Sequence, residues 1–134
     1  MFAPFKSQAN TYNRIQVETG VNGADPHQLV TMLLDGALSS LGAAINALST
    51  GNIAVKCKAI ARAVSIVEEG LRGALDMNAG GEVARTLDAL YACVLVRLSR
   101  ANVENNATML HECIELLTPM RDAWVSIKPQ KAAA

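Results

Sequence analysis

Apolar residues recur at helical spacing between residues 26 and 48, and they form two rows instead of one. The first row is Leu29, Met32, Leu33, Gly36, Ala43 and Ala47, and the second is Val30, Leu34, Leu38, Leu41, Ile45 and Leu48. Both rows keep the three-or-four spacing of an α-helix. A helix that packs on one side needs only one apolar stripe, so two rows predict burial on two sides. The second side is a candidate surface for another chain.

The start of this helix is marked by a strong local signal. Asp25 is suited to the N-cap, Pro26 fits the first helical position, and Gln28 occupies the third, where it can reach back to the cap. Proline costs little there, because its missing N–H would have no helical partner. The pattern therefore predicts a helix over residues 26–48.

The remaining apolar positions predict three further helices, over residues 53–77, 82–101 and 107–127. Their predicted core rows are Ile53, Cys57, Ile60, Val64, Val67, Leu71 and Leu75; then Val83, Leu87, Leu90, Tyr91, Val94, Leu98 and Ala101; then Leu110, Cys113, Ile114, Leu117, Met120, Trp124 and Ile127. Pro119 lies inside the last helix and should kink it. Four helices joined by short turns predict an all-α fold, an antiparallel up-and-down four-helix bundle.

The 134 residues fit one domain. We predict an N-terminal arm or short helix over residues 1–24, the helical bundle over residues 25–128, and a disordered tail over residues 129–134. The arm carries Tyr12, Ile15 and Val17 among polar residues, and Gly20 and Gly23 follow them. Apolar residues in such an arm usually dock on the body of the domain.

Composition narrows the classes of partner. Lys plus Arg equals Asp plus Glu at 12 each, so nothing steers the chain toward nucleic acid or anionic lipid. No uninterrupted apolar run reaches the ~18 residues needed to span a membrane, which predicts no direct membrane insertion. The three cysteines, Cys57, Cys93 and Cys113, are odd in number and widely spaced, and we interpret them as reduced core cysteines of a cytoplasmic protein.

The sequence holds no recognisable catalytic or metal constellation. The residues three before His27 and His111 are Ala24 and Thr108, so the Glu-x-x-His pair of a di-metal bundle is absent. His111 and Cys113 cannot form a Cys–His nucleophile pair, because residues two apart point to different helix faces. We therefore expect no metal, no cofactor and no enzymatic activity. For Gly36, close packing of a neighbouring helix is favoured over a shallow site for a partner helix.

Several ordered motifs together resemble the flagellar secretion chaperone family, FliS. They begin with Tyr12 and Val17-Glu18, continue through D-P-H-Q-L-V-T-M-L-L-D-G-A-L at 25–38, and resume in the runs at 66–76, 81–91 and 97–106. They end at R-D-A-W, 121–124. The chain departs from the family at two positions, with Leu34 and Cys93 where the family usually carries aromatic residues.

The resemblance implies a cytoplasmic bacterial chaperone that binds the C-terminal segment of flagellin. It also implies that this binding prevents premature polymerisation, and that the chaperone delivers flagellin to a gate component of the flagellar type III export apparatus. In the family the N-terminal arm covers part of the groove when flagellin is absent. Here that role would fall to Tyr12, Ile15 and Val17.

The second apolar row supplies the predicted binding surface for that segment: Val30, Leu34, Leu38, Leu41 and Ile45. Which of the two rows faces the core is open at this stage, and the assignment could be reversed. The alternative from another class is a homodimeric structural or adaptor module without flagellin binding, which uses the same row as its own interface. A homodimer is also a candidate state of the chaperone itself when it is unliganded. A small cytosolic enzyme ranks below both.

Overall fold

The computed structural model describes residues 25–127 of the chain. The predicted groove-covering residues Tyr12, Ile15 and Val17, with the rest of the arm, lie outside the described residues. The predicted tail, residues 129–134, lies outside them as well. The bundle is therefore described from its first N-cap to the residue that follows its last helix.

The described part of the chain is built from four helices. They are α1, Pro26–Ser49; α2, Ile53–Ser65, which continues directly into a π-helical segment, Ile66–Arg72; α3, Gly81–Glu104; and α4, Ala107–Ser126. The prediction of an all-α helical bundle is confirmed. The turns between α1 and α2 and between α3 and α4 are only a few residues long, so successive helices lie side by side.

Side-chain contacts between the helices show how they run. His27 near the start of α1 contacts Trp124 near the end of α4, whereas Asp35 farther along α1 contacts Arg121 earlier in α4. The two helices are therefore antiparallel. α1 packs against α2, the π-helical segment and α4, and α3 packs against α4, α2 and the π-helical segment. α1 and α3 consequently lie across the diagonal of the bundle.

Three helices begin at side-chain caps. Asp25 accepts a hydrogen bond from the backbone N–H of Gln28 at 2.7 Å, with Pro26 in the first turn, as predicted. Asn52 and Asn106 accept corresponding bonds at the starts of α2 and α4. Each cap satisfies an N–H that has no partner within its helix. These caps fix three of the helix starts within one residue of the predicted ones.

The second helix ends earlier than predicted. Regular α-helix stops at Ser65, the π-helical segment ends at Arg72, and residues 73–80 form a turn instead of the predicted last α-helical residues to position 77. Asp76 is the local reason, because its carboxylate accepts bonds from the N–H groups of Asn78 and Ala79. Aspartate favours such turns over helix interiors for this reason.

The core lies along the middle of the bundle and all four helices contribute to it. Its fully buried large side chains are Leu29, Leu33, Leu34, Leu41, Ile60, Val67, Val94, Leu98, Leu110, Cys113 and Leu117. The predicted core positions Ile53, Val83 and Ile127 are wrong, since they are 47%, 69% and 54% exposed. All three lie at helix ends, where a periodic row continues but neighbouring helices no longer cover it.

The cysteine prediction holds for one residue of three. Cys113 is buried, while Cys57 and Cys93 are exposed, so their assignment to the core is wrong. At the start of α2 the buried residue is instead Lys56, whose Nζ donates to the backbone carbonyl and the side-chain oxygen of Asn102. Those acceptors near the carboxyl end of α3 suit a cation, because the helix dipole is negative there.

Gly36 lies where α1 and the π-helical segment approach each other. A Cβ atom at this position would lie 3.3 Å from Cδ1 of Ile66, which is tighter than most Cβ contacts. The close packing expected for this glycine is therefore what the structure shows.

Among the helices of the described residues, α1 is the one whose length and apolar composition meet the requirements of a membrane span. It also supplies Leu29, Leu33 and Leu41 to the core of the bundle. The central helix of a bundle meets the same criteria of length and composition. Its apolar character is accounted for by its contacts on two sides with α2 and α4.

Candidate partner-binding face of α1

The predicted binding row on α1 is split by the structure between the core and its margin. Leu34 and Leu41 are 2% and 0% exposed, so a partner cannot reach them while the bundle is closed. Val30, Leu38 and Ile45 are half-buried and pack against the core from its edge. In the other row Leu29, Leu33 and Ala47 are buried, whereas Met32 and Ala43 are exposed. The buried face of α1 thus draws on both rows.

The binding row lies on the side of α1 that faces α4. His27, whose ring contacts Trp124 of α4, is seven, eleven and eighteen residues before Leu34, Leu38 and Ile45. Positions at these spacings share one helix face. The other row lies toward α2, as Gly36 beside Ile66 shows. The chain's own helices therefore occupy both apolar sides of α1.

His27 and Trp124 form a reciprocal contact that joins the start of α1 to the end of α4. Their rings stack with centroids 4.9 Å apart and planes 16° apart. Nε2 of His27 donates to the backbone carbonyl of Trp124 at 2.8 Å, and Nε1 of Trp124 donates to the backbone carbonyl of His27 at 2.9 Å. A carbonyl can only accept, so Nε2 of His27 carries the proton. The carbonyl of Trp124 lies at the end of α4, where it also accepts the backbone N–H of Ile127 at 3.2 Å.

A second contact between α1 and α4, an ion pair, lies next to this one and reinforces it. Nε of Arg121 on α4 donates to Oδ1 of Asp35 on α1 at 2.7 Å. The hydrogen bond to Asp35 and the charge of its carboxylate raise the pKa of Arg121 above its ordinary value. We call the four residues His27, Asp35, Arg121 and Trp124 the clasp. It closes the end of the α1–α4 seam that lies along residues 27–35 of α1.

Burial along α4 changes at Pro119. The buried residues of this helix are Leu110, Cys113 and Leu117, all before the proline. After it, Met120 and Trp124 are only half-buried, and Val125 is exposed. The first part of α4 is thus held by fully buried side chains, and the last part by the clasp and by half-buried apolar side chains at the edge of the core.

Contacts elsewhere in the described residues tie the other helices together. Arg72 at the end of the π-helical segment donates to Asp88 on α3 at 2.6 Å, and this bond raises the pKa of Arg72. Arg97 on α3 pairs with Glu112 on α4 at 2.8 Å. These pairs lie on other seams of the bundle, away from the clasp. They are useful as matched controls.

Exposed apolar side chains also occur on α3. Val96 and Val103 are seven residues apart and share one face of the helix, and Val103 is 84% exposed. Within residues 25–127 no group of three or more His, Cys, Asp or Glu side chains is placed to hold a metal ion. His111 lies on the exposed surface of α4.

The clasp is the feature that reasoning from periodicity missed. The sequence analysis places Trp124 in the predicted core row of the last helix and gives His27 no role once the metal pair is excluded. The structure shows instead that each is the other's partner. A signal was present, since both residues lie in runs that carry the family resemblance, D-P-H-Q and R-D-A-W. Those runs are 97 residues apart in sequence, so only the fold brings them together.

An all-α bundle whose apolar first helix is enclosed on both sides, with a clasp closing one of them, defines the class of protein as a small helical bundle. The chain matches the family model described as flagellar protein FliS over residues 8–131. It is 39% identical to the flagellar secretion chaperone FliS of Salmonella typhimurium, over 92% of each chain. It is 38% identical to that of Escherichia coli and 33% identical to that of Vibrio cholerae, each over at least 90% of both chains. The chain belongs to the FliS family.

Proposed function

We propose that this chain is a cytoplasmic export chaperone for flagellin. It binds the C-terminal segment of flagellin, prevents its premature polymerisation, and delivers it to a gate component of the flagellar type III export apparatus. The observation that carries this proposal is the family match, which extends from residue 8 to residue 131 and so includes the whole described bundle. The relatives that the chain resembles are named flagellar secretion chaperones.

The α4-facing side of α1 supports a helix-in-groove mode of binding. Val30, Leu38 and Ile45 form its accessible margin, and Leu34 and Leu41 lie beneath. A segment that folds on binding must gain enough apolar contact to offset its ordering, which costs several kcal/mol. A helix laid along this side would gain it from residues at three-or-four spacing.

The N-terminal arm, residues 1–24, is proposed to cover this side when flagellin is absent. It joins α1 at Asp25, two residues before His27 of the clasp. Tyr12, Ile15 and Val17 are the apolar residues that would occupy the groove. Bound flagellin and the arm then compete for the same surface.

Native mass spectrometry with a peptide of the flagellin C-terminal segment tests the proposal. We expect a complex of one chain with one peptide, no complex with a scrambled peptide, and slower filament assembly when the chain is mixed with flagellin. The rival module predicts a stable homodimer that ignores the peptide. Observing that dimer, with filament assembly unchanged, would contradict the proposal.

A matched pair of variants locates the surface. Leu38→Ser removes apolar area from the proposed margin and should weaken peptide binding by about tenfold, the equivalent of ~1.4 kcal/mol of lost burial. Val103→Ser removes a more exposed valine from α3 and should leave affinity unchanged. Circular dichroism checks that both variants keep the helical content of the parent chain. Equal loss of affinity in both would place the site elsewhere.

A further inference from the structure

We propose that residues 120–126, the part of α4 after Pro119, act as a latch that opens to admit the partner to the α4-facing side of α1. The inference deepens the proposed function and rests on it for the identity of the partner, the C-terminal segment of flagellin. The latch is defined by a joint, by weak apolar anchoring and by the clasp that keeps it shut.

The joint lies at Thr118 and Pro119. Pro119 has no N–H, so the carbonyl of Glu115 loses its helical hydrogen bond. In the preceding residue, the hydroxyl of Thr118 donates to the carbonyl of Ile114 at 2.7 Å, an arrangement that often bends helices. Two successive residues therefore loosen the backbone ladder at the same turn of α4.

Full burial of apolar side chains ends at this joint, and after it Met120 and Trp124 pack half-buried against the edge of the core. Leu110, Cys113 and Leu117 are fully buried before it, whereas no residue of the latch belongs to the buried core. Segments with few buried apolar contacts open locally at a lower free energy than the core does. The latch is therefore free to open while residues 107–117 stay packed.

The clasp supplies the side-chain contacts that hold the latch closed. Arg121 is paired with Asp35, and Trp124 is stacked on His27 with two hydrogen bonds between them. The side chains of Asp35 and Arg121 are both partly solvent-exposed, so this pair exchanges readily with water. Contacts of this kind can break one at a time, whereas the side chains of a close-packed core separate together.

Opening uncovers the upper part of the predicted binding row. Arg121 of the latch contacts Asp35, and Trp124 contacts His27. The latch therefore lies alongside residues 27–35 of α1. Leu34 is on the α4-facing side of this stretch, and Val30 lies at its margin. The latch thus explains how a row that includes a 2%-exposed leucine can meet a partner.

Hydrogen exchange of the full chain without any partner tests the latch by itself. Amides of residues 120–126 should exchange faster than those of residues 107–117. Arg121→Ala and Trp124→Phe each remove one clasp bond and should raise latch exchange by about threefold to tenfold, leaving residues 107–117 unchanged. Arg97→Ala breaks the ion pair with Glu112 on another seam and should leave latch exchange unchanged.

Pro119→Ala gives the opposite variant. It restores an N–H donor for the carbonyl of Glu115 and should slow latch exchange by about threefold. If all these variants change exchange equally in residues 107–117 and 120–126, α4 opens as one unit. That result would overturn the latch.

Binding of the flagellin C-terminal peptide then tests what the latch controls. Arg121→Ala and Trp124→Phe should bind it about threefold more tightly or faster, and Pro119→Ala about threefold more weakly. If the parent chain and every variant fail to bind the peptide while latch exchange behaves as expected, the proposed partner is wrong and the opening stands. If the peptide binds with equal affinity throughout, the latch does not regulate the site.

Discussion

The two parts of α4 differ in what holds them to the bundle. Residues before Pro119 contribute three fully buried side chains, while residues after it contribute none and are held to α1 by stacking, hydrogen bonds and an ion pair. Apolar burial is strong and non-directional, whereas each exposed polar contact adds little net free energy. One helix thus combines a half that is fixed in the core with a half whose contacts suit the proposed latch.

The same contrast explains why the covered helix is so apolar. α1 is enclosed by α2 on one side and by α4 on the other. On the α2 side Gly36 allows close contact with Ile66, which suits permanent packing. On the α4 side the end of the seam is closed by the clasp, which suits a surface that is sometimes uncovered. The proposed partner surface would thereby be kept from water between binding events.

Truncating the core half of α4 should have the largest effect on stability. Leu117→Ala removes a fully buried side chain and should lower the free energy of unfolding by about 2–5 kcal/mol. Thermal or urea denaturation followed by circular dichroism measures it. A loss no larger than that of clasp variants would break the distinction between the two halves.

Alkaline pH should lower the stability of the fold through Cys113, in the part of α4 before Pro119. Burial raises the pKa of the Cys113 thiol from 9.0 to about 11. A raised pKa means that the folded chain holds the proton more tightly, so stability is full below pH 9 and falls from about pH 9 to 11, by about 2–3 kcal/mol. Urea denaturation across this range measures the slope.

Cys113→Ala is the control for that slope. The stability of this variant should fall less steeply over the same pH range. The loss that remains should include the contribution of Tyr91, because burial raises the pKa of Tyr91 as well. If the variant and the parent chain lose stability in parallel, the loss at alkaline pH does not come from Cys113.

Removing the aromatic part of the clasp should cost less than removing Leu117. Trp124→Ala breaks the stack on His27 and removes the hydrogen bond from Nε1 to the carbonyl of His27, and should lower the free energy of unfolding by about 1–2 kcal/mol. Hydrogen exchange should place the change in residues 120–126 and the first turn of α1. Equally increased exchange through α3 would show instead that Trp124 supports the whole core.

Removing the ionic part of the clasp should have the smallest effect. Asp35→Asn weakens a partly exposed pair and should cost about 0.5 kcal/mol, and the difference from the parent chain should shrink further in ~1 M salt. Denaturation curves at low and high salt measure it. A difference that does not change with salt would mean that the contact is not mainly electrostatic.

Local chemistry made much of the fold predictable from sequence. Asp25 was identifiable as a cap because its side chain satisfies an N–H group only three residues away. The three-or-four spacing of residues such as Leu110, Cys113 and Leu117 predicts their burial, since one helix face is repeated at that interval. The four-helix bundle follows from such rows and the short turns between them.

The site was less predictable, because it depends on contacts between distant residues. Periodicity groups Leu34 with Val30 and Leu38, but only the position of α4 determines that Leu34 is buried and the other two lie at the margin. Likewise, no local pattern pairs His27 with Trp124 or shows that Val83 extends beyond its neighbours. The burial of residues at helix ends and along the seams depends on where the neighbouring helix stops. The apolar row of one helix does not encode that position.

Hydrogen exchange of the parent chain, with and without the flagellin C-terminal segment, tests the central claim most directly. The account predicts that binding raises exchange in residues 120–126 several-fold, as expected for a displaced segment, and leaves residues 107–117 unchanged. Slower exchange in residues 120–126 would mean that the segment docks with the latch closed. No change anywhere in the chain would contradict flagellin binding itself.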